Sequence, residues 1–233
     1  MTSKFFTREI RKRRVISTYD DDIALNYIAI EKLTESVMNF IFVKKLPTGK
    51  IWITDRDVNG VKDVNIDYNY PKAVSNLFVN PDQTLQYIEI GAGLGEFIPK
   101  LVDAQVKKRP IIIDPAPYET MQEMLEYILP EIEIEAHYER CLELVKRAKL
   151  MQDSKKVNLI NLTLKDALDQ HPEIREVGDI LVDNYGGVIW STTESGNKLE
   201  DIFFLEGLLL REGGLLYTQE HSLIKKNGEL KFK

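Results

Sequence analysis

Hydrophobic residues in the C-terminal two thirds of the chain form short continuous runs that alternate with stretches of helical spacing. A short apolar run between turn residues is typical of a strand buried on both faces, as at Ile111–Ile113. The predicted strands cover residues 87–90, 110–113, 157–164 and 178–183, and a fifth begins at 215–218. Their alternation with helices predicts an α/β fold: a doubly wound, mostly parallel sheet with helices on both faces.

Apolar positions three and four residues apart predict the helices between these strands. Residues 118–151 should form two helices that join near Leu129-Pro130. The apolar stripe of the second comprises Tyr138, Cys141, Leu142, Val145 and Ala148, so Cys141 is a small buried hydrophobe and His137 is expected at the surface. Two more helices are predicted, one over about 96–107 with three cations at its end and one from 199 to a glycine C-terminus at 213–214.

The first 84 residues are predicted to be an extension that precedes the main domain at 85–233. A capping box at Thr18 and apolar positions that recur as far as Ile41 predict a helix. Alternation on both sides of Asn59-Gly60 predicts a hairpin over 50–66, which could be part of a substrate lid or an edge decoration. The basic first 14 residues are interpreted as a solvated, partly mobile terminus, because the rest of the chain is acidic.

The sequence YIEIGAGLGEF at residues 87–97 leads from the first strand of the main domain through three glycines into a helix. Glycine tolerates positive φ and its missing Cβ lets a ligand lie against the backbone, so the turn is a candidate nucleotide-type site. Its G-x-G-x-G spacing departs from the dinucleotide fingerprint at Glu96. Glu89 would repel a pyrophosphate, but it suits a ligand that carries an ammonium or sulfonium group. A glycine-rich turn without a ligand is the alternative.

A second acid, Asp114, ends the isoleucine strand. It lies about 20 residues after the glycine turn, the separation at which βαβ nucleotide sites place an acid that accepts hydrogen bonds from ribose hydroxyls. The alternative is a strand-end acid that caps the next helix. The pairing of Asp114 with the glycine turn favours the ribose contact.

The acid-x-G-x-G-x-G turn from Glu89 to Gly95 resembles the first motif of the class I S-adenosylmethionine (SAM) dependent methyltransferases. The resemblance extends over residues 85–220, where the strands, an Asp166-Ala167 pair and the paired glycines before the fifth strand follow in the family's order. It implies a Rossmann-like fold, SAM as cofactor and transfer of a methyl group. Lys165 replaces the glycine that usually precedes the Asp-Ala pair, and Asp166 could instead cap a short helix.

The resemblance also implies roles for individual residues. The glycines would bracket the methionyl portion of SAM, Glu89 would orient its ammonium, Asp114 would hold the ribose and Asp166 the adenine. The full set of implied cofactor residues is Glu89, Gly91, Ala92, Gly93, Gly95, Asp114, Pro115, Asp166, Ala167 and Asp183. Tyr19 resembles part of a Tyr-Asp element that closes over the cofactor in the family, but we interpret it as a core aromatic.

The methyl acceptor would lie where the fourth strand ends. Because strand carboxyl ends face the ligand crevice, Asp183, Asn184 and Tyr185 are candidates for acceptor contacts. The segment lacks both prolines of the Asn/Asp-Pro-Pro-aromatic motif, which argues against a nucleic-acid base amine. No general base is identified, and His221 is the histidine that could reach the crevice. Two alternatives to a methyltransferase remain: a SAM-binding or partner module without turnover, and an aminopropyltransferase-like enzyme.

Composition and charge narrow the class of protein, the type of acceptor and the location that the sequence allows. The chain has 233 residues, 43% hydrophobic and 29% charged, as in an ordinary soluble globular protein. Its net charge of −6 argues against wholesale binding of nucleic acid and slightly favours a small-molecule acceptor over RNA, while a nucleic-acid or protein acceptor remains an open alternative. A single cysteine cannot form an internal disulfide, and no Cys/His spacing indicates a metal site. With no apolar run of signal-peptide or membrane-spanning type, we expect a cytoplasmic protein that does not enter a membrane.

Overall fold

The structure is a computed structural model of the chain. It describes Val74, Leu77 and residues 80–183, 198–218 and 221–233, and it describes the backbone alone of five strands nearer the N-terminus. Those strands are β1 Phe6–Ile10, β2 Arg13–Ser17, β3 Asn26–Lys32, β4 Met38–Leu46 and β5 Gly49–Thr54. They form an antiparallel sheet in which each strand pairs with the next along the chain.

The helix predicted between Thr18 and Ile41 is wrong, because much of this stretch forms two strands. β3 and β4 pair antiparallel from Asn26 opposite Lys44 to Lys32 opposite Met38. The physical reason is composition: tyrosine and isoleucine occur in β3, phenylalanine, isoleucine and valine occur in β4, and β-branched and aromatic residues favour strands over helices. A stripe with helical spacing can be found inside such a sequence, but it does not decide the structure.

Two further N-terminal predictions are tested in part. The first arm of the hairpin predicted over 50–66 is a strand, but β5 pairs with β4, with Ile51 opposite Lys44, and residues 55–66 lie outside the described part of the chain. The backbones of β1 and β2 pair from Phe6 opposite Ser17 to Ile10 opposite Arg13, and the solvated, partly mobile character predicted for residues 1–14 stays a prediction.

The main sheet follows. Its strands are β6 Tyr87–Ile90, β7 Ile111–Ile113, β8 Asn158–Ile160, β9 Gly178–Asp183, β10 Leu210–Thr218, β11 Ser222–Lys226 and β12 Glu229–Phe232. The described helices of this part are α1 Phe97–Asp103, α2 Tyr118–Ile128, α3 Glu135–Met151, α4 Leu164–Gln170 and α5 Leu199–Leu209. Within the described residues the sheet has seven strands in the order β12-β11-β10-β9-β6-β7-β8.

Strands β6 to β10 run parallel, β11 pairs antiparallel with β10, and β12 pairs antiparallel with β11. From β6 the chain winds outward through β7 to β8, then crosses to the other side of β6 and continues through β9 to β10. The order therefore reverses between β6 and β9. The predicted α/β fold with a doubly wound, mostly parallel sheet is therefore confirmed.

The two faces of the sheet bury different helices. One face packs β6 residues Ile88 and Ile90 and β9 residue Leu181 into a single core with Leu168 of α4 and Leu209 of α5. Because successive strand residues point to opposite faces, Tyr87 belongs to the other face. There its ring meets that of Phe97 in α1, edge-on, with the ring centroids 6.1 Å apart. Helices on both faces are thus confirmed.

Contacts along the chain divide it into two compact units. The first comprises Met1–Asn65, Gly93–Gly95 and Ala116–Gln152, and the second comprises Ile66–Ala92, Glu96–Pro115 and Asp153–Lys233. The division at residue 84 that the sequence suggests stays a prediction. Among the residues described, no helix combines the length and the apolar character that crossing a membrane requires.

Within the first unit, α2 and α3 are the two helices predicted over 118–151, joined by a 3₁₀ turn at Leu129–Glu131. Cys141 is buried, as predicted. The buried stripe of α3 is rotated relative to the prediction, because His137 is 2% exposed and Tyr138 is 37% exposed. The expected surface position of His137 is therefore wrong: the charged neighbours of a helical residue do not show which way it points.

Three boundaries differ from the sequence prediction. Helix α1 stops at Asp103, with Gln105 at φ 57°, so the cations at 107–109 do not lie in its last turn. The third strand is shorter than predicted, because β8 ends at Ile160. Helix α5 ends at Leu209 and β10 begins at the next residue, so Gly213, at φ 81°, belongs to an irregular part of the strand and does not end the helix.

The predicted closing hairpin is confirmed. β11 and β12 pair antiparallel across Asn227-Gly228, and both turn residues have positive φ, 55° and 78°. Asparagine and glycine at these two positions are typical of the tight turns whose twist matches a hairpin. β11 pairs directly with β10, with Leu216 opposite Leu223, which leaves no helix between the fifth strand and the hairpin.

Candidate functional site

The glycine turn after β6 has the backbone that its sequence predicts. Gly91 and Gly93 have φ of 63° and 51°, the left-handed region that a residue with a Cβ rarely adopts. The Gly91 N–H donates a hydrogen bond to the Ile113 carbonyl at 2.9 Å, which ties the start of the turn to the end of β7. The turn is thus a fixed feature of the strand end and a place where a ligand can approach the main chain.

The turn lies at the point where the strand order reverses. Ile90, the last residue of β6, is in register with Ile113 on one side and with Asp183 on the other. Gly91 and Asp114 each follow one of these residues, so the carboxyl ends of β6, β7 and β9 bring three predicted site residues to one edge of the sheet. In open α/β sheets this switch point is where ligands bind.

Three acids at these strand ends are almost fully buried: Glu89 is 2% exposed, Asp114 3% and Asp183 1%. They divide between the faces. Glu89 alternates with Ile90 and lies on the Tyr87 face, whereas Asp183, the register partner of Ile90, lies on the face of Ile90 and Leu181. The sequence predicted the shared strand end but not this division.

Asp114 has a well-fixed backbone. Its N–H donates to the Ile160 carbonyl at 3.1 Å, and its own carbonyl accepts a hydrogen bond from Asn161 Nδ2 at 2.8 Å. Asn161 directly follows β8, so the ends of β7 and β8 hold this acid between them. Sequence reasoning missed Asn161; the signal was a polar amide immediately after an apolar strand.

Asp166 has the hydrogen bonds of a helix cap. Thr163 is the N-cap of α4: its hydroxyl accepts from the Asp166 N–H at 3.3 Å and donates to Asp166 Oδ2 at 2.7 Å. This reciprocal pair is a variant of the capping box. The alternative that the sequence left open, helix capping, therefore describes these contacts, and the adenine contact of Asp166 stays a prediction. Ala167 is buried in the core beneath α4.

Glu206, on α5, is a site residue that the sequence did not identify. Its side chain is fully buried, and among the described residues no group donates a hydrogen bond to either carboxyl oxygen. Burial, then the charge of Asp183 and a hydrogen bond with that acid, raise the pKa of Glu206 well above its ordinary value of 4.5. The one available signal was a single acid inside the apolar segment FFLEGLLL.

Arg147 supports the glycine turn within the first unit. It is buried on α3, and its Nη1 donates to the Leu94 carbonyl at 2.9 Å, while Nη2 forms an ion pair with Glu143. A charged donor on a turn carbonyl is among the stronger hydrogen bonds. Sequence reasoning also missed this residue, because Arg147 is far from the turn along the chain.

The remaining candidates do not add to the site. Asn184, Tyr185 and Tyr19 lie outside the described residues. The ring of His221 packs edge-on against Phe203 and Phe232, with centroids 6.3 Å and 5.3 Å away, so it has an aromatic environment.

The described residues fit a cationic ligand better than a pyrophosphate. Glu89 is buried two residues before the turn, and Glu96 occupies the N-cap of α1, a helix of only seven residues. A carboxylate on the strand before the turn and another at the N-cap of this short helix oppose a phosphate group. Carboxylate oxygens at Glu89 and Asp114 can instead accept from an ammonium group and from ribose hydroxyls.

No protein-family model and no curated protein sequence matches the chain. Solved structures do. M. jannaschii TYW2 in complex with AdoMet aligns at 15% identity and TM-score 0.38 over 76% of this chain, and spermidine synthase from Thermotoga maritima at 11% and 0.42 over 82%. The Methanococcus jannaschii fibrillarin pre-rRNA processing protein aligns at 14% identity and TM-score 0.39 over 93% of this chain and 76% of its own length. The chain spans 61% of the TYW2 chain and 58% of the spermidine synthase chain.

Proposed function

We propose that the chain is a SAM-dependent methyltransferase that acts on a small-molecule acceptor. One observation carries the proposal: a turn with two left-handed glycines stands at the switch point of a doubly wound sheet, next to the buried acids Glu89 and Asp114. The glycines allow the ligand to approach the backbone, and the acids supply the acceptors that a cationic adenosyl group requires.

Methyl transfer from SAM requires little of the protein beyond positioning of the cofactor and the acceptor. When bound, the sulfonium of SAM supplies an electrophilic methyl group. The residues of this chain would hold that group in place: Glu89 by its charge opposite the ammonium and Asp114 by accepting from the ribose. Alignment of two reactants in a water-poor site can contribute about 7–11 kcal/mol to a rate enhancement. Asp183 would lie on the acceptor side, and the net charge of −6 favours a small acceptor over RNA.

Calorimetry with SAM and with its demethylated product tests the cofactor site. We expect the wild-type chain to bind both, and Gly93→Arg to abolish binding, because an arginine at a left-handed position would fill the ligand's path and strain the turn. Gly228→Arg is the matched control, since Gly228 also has positive φ but nothing lies within 4 Å of its Cβ position. Equal loss in both variants, or no binding by the folded wild type, would refute the cofactor site.

Charge is tested separately at Glu89. Glu89→Gln keeps the shape of the side chain and removes the negative charge. It should weaken SAM and the demethylated product alike, because both ligands carry the ammonium group that Glu89 would face. Much greater weakening of SAM would place Glu89 beside the sulfonium instead, and unchanged binding of both ligands would remove Glu89 from the cofactor site.

Turnover distinguishes the proposed function from its alternatives. Incubation with SAM labelled in the methyl group and a panel of small-molecule acceptors should transfer label, whereas a binding module would bind SAM and transfer none. Parallel incubation with decarboxylated SAM and polyamines tests the aminopropyltransferase alternative. Transfer of an aminopropyl group without methyl transfer would overturn the proposed reaction and keep the adenosyl site.

A further inference from the structure

Glu206, the buried acid beside Asp183, has no part in the function proposed so far. Helix α5 packs its apolar side, with Phe203 and Leu209, on the core face of the sheet that also contains Leu181. Asp183 lies two residues after Leu181 on the same strand face and is therefore directed towards α5. Glu206 lies on α5 and is wholly buried.

Among the residues that the structure describes, none donates a hydrogen bond that would compensate an ionised Glu206. Within the described ranges, its two carboxyl oxygens receive no hydrogen bond, and the acidic group beside it is Asp183, itself 1% exposed. Two ionised carboxylates side by side in a buried site repel each other, and each loses its hydration. If one of them carries a proton, the repulsion disappears and the proton forms a hydrogen bond between them.

We propose that Glu206 is the positioning residue for Asp183. Glu206 carries a proton in the folded protein and donates a hydrogen bond to the Asp183 carboxylate. That bond holds Asp183 as a single oriented anion at the carboxyl end of β9. The positions of the two acids in the fold determine which of them donates the hydrogen bond. Glu206 lies inside the helix–sheet core, whereas Asp183 is the last residue of its strand, next to the switch point. The negative charge is less costly at the strand end than in the core.

The protonation claim can be tested without any ligand. At pH 7 the infrared spectrum of the wild-type chain should contain a carbonyl band of an un-ionised carboxylic acid that is lost in Glu206→Gln. The band should persist in Glu200→Gln, a substitution at an exposed position of the same helix. In Asp183→Asn it should remain but shift, because the acceptor of the hydrogen bond has changed. Identical wild-type and Glu206→Gln spectra would overturn the proposal.

The positioning claim rests on the proposed function and uses SAM as the probe. Glutamine keeps a donor beside Asp183, so Glu206→Gln should bind SAM nearly as tightly as the wild type. Leucine fills the space without a donor, so Glu206→Leu should bind about tenfold more weakly, the effect of losing a hydrogen bond to a charged group. Equal affinity in the two variants would make Glu206 a core filler and overturn the positioning role.

The two experiments separate the two proposals. A wild-type chain that shows the infrared band but binds no SAM would refute the proposed function and retain the protonated pair. A chain that binds SAM and lacks the band would refute the pair and retain the function. If Glu206→Leu fails to fold, comparison of Glu206→Gln with Asp183→Asn by infrared spectroscopy still decides whether the proton is there.

Discussion

Replacing Glu206 by glutamine should change how the stability of the protein depends on pH. In the unfolded chain Glu206 titrates near 4.5, whereas burial and then Asp183 raise its pKa well above that value in the folded protein. Above pH 4.5 the folded state therefore holds one proton that the unfolded state has released. The stability that this group contributes is fully present below 4.5 and is lost as pH rises towards the folded pKa.

The size of the effect follows from the number of protons. One proton more in the folded state lowers the free energy of unfolding by about 1.4 kcal/mol for each pH unit. Glu206→Gln removes this proton from both states. Relative to the variant, the wild type should lose about 1.4 kcal/mol per pH unit from about pH 5.5 upward, until the folded carboxyl ionises. The pH at which the difference stops growing gives the folded pKa.

Urea unfolding followed by circular dichroism over a pH series measures this difference. The wild type, Glu206→Gln and Glu200→Gln are compared at each pH, and Glu200 serves as the control because it is exposed on the same helix. We expect the curve of the Glu200 variant to run parallel to the wild type and that of the Glu206 variant to diverge. Parallel curves for all three would mean that Glu206 titrates alike in both states, which would refute the reasoning from burial.

Two further predictions concern stability. Arg147→Met removes the hydrogen bond to the Leu94 carbonyl and should destabilise the chain by about 1–3 kcal/mol, whereas Lys146→Met, at the exposed neighbouring position, should have little effect in urea unfolding. Gly214→Ala should destabilise by about 1–3 kcal/mol because its Cβ would meet backbone oxygens at 2.9 Å and 3.0 Å. Gly207→Ala, with its nearest contact at 3.5 Å, should instead stabilise helix α5 by about 0.5–1 kcal/mol in thermal unfolding. A shift of the same sign in both glycine variants would contradict this account.

The centre of the main sheet could be predicted from the sequence because β6, β7 and β9 are buried on both faces. A run such as Ile111–Ile113 permits few other interpretations, and the glycine turn fixes which strand starts the domain. Boundaries were less predictable. The end of α1 at Asp103 depends on the left-handed Gln105, and a positive φ at a residue other than glycine has no reliable sequence signal.

The N-terminal sheet could not be derived with the same rules. The apolar residues of β3 and β4 fit a helical stripe, but many of them are isoleucine, valine, tyrosine or phenylalanine, which also favour strands. In such segments, pairing with a neighbouring strand decides whether a strand or a helix forms, and that partner lies elsewhere in the chain. The capping box at Thr18 favoured a helix in this segment, and that prediction is wrong.

The candidate site shows the same limit at the level of single residues. Asp114 and Asp183 were found because they end strands, a position that the sequence reveals. Glu206 and Arg147 were missed because their roles depend on helix packing: one meets a strand end across the core, and the other reaches a turn carbonyl. A lone charged residue within an apolar helical segment is the pattern that points to such contacts.

The division of acids between the two faces gives the proposed site a physical logic. Glu89 and Asp183 belong to adjacent strands but face opposite sides of the sheet, so their charges are kept apart by the sheet itself. On one side Glu89 adjoins the glycine turn, and on the other Asp183 is paired with Glu206. A ligand that lies across the end of β6 would meet both acids, with its positive charge between them. Protonation of Glu206, as we propose it, leaves this edge of the sheet without a further buried negative charge beside Glu89, Asp114 and Asp183, so the repulsion that another carboxylate would add is absent.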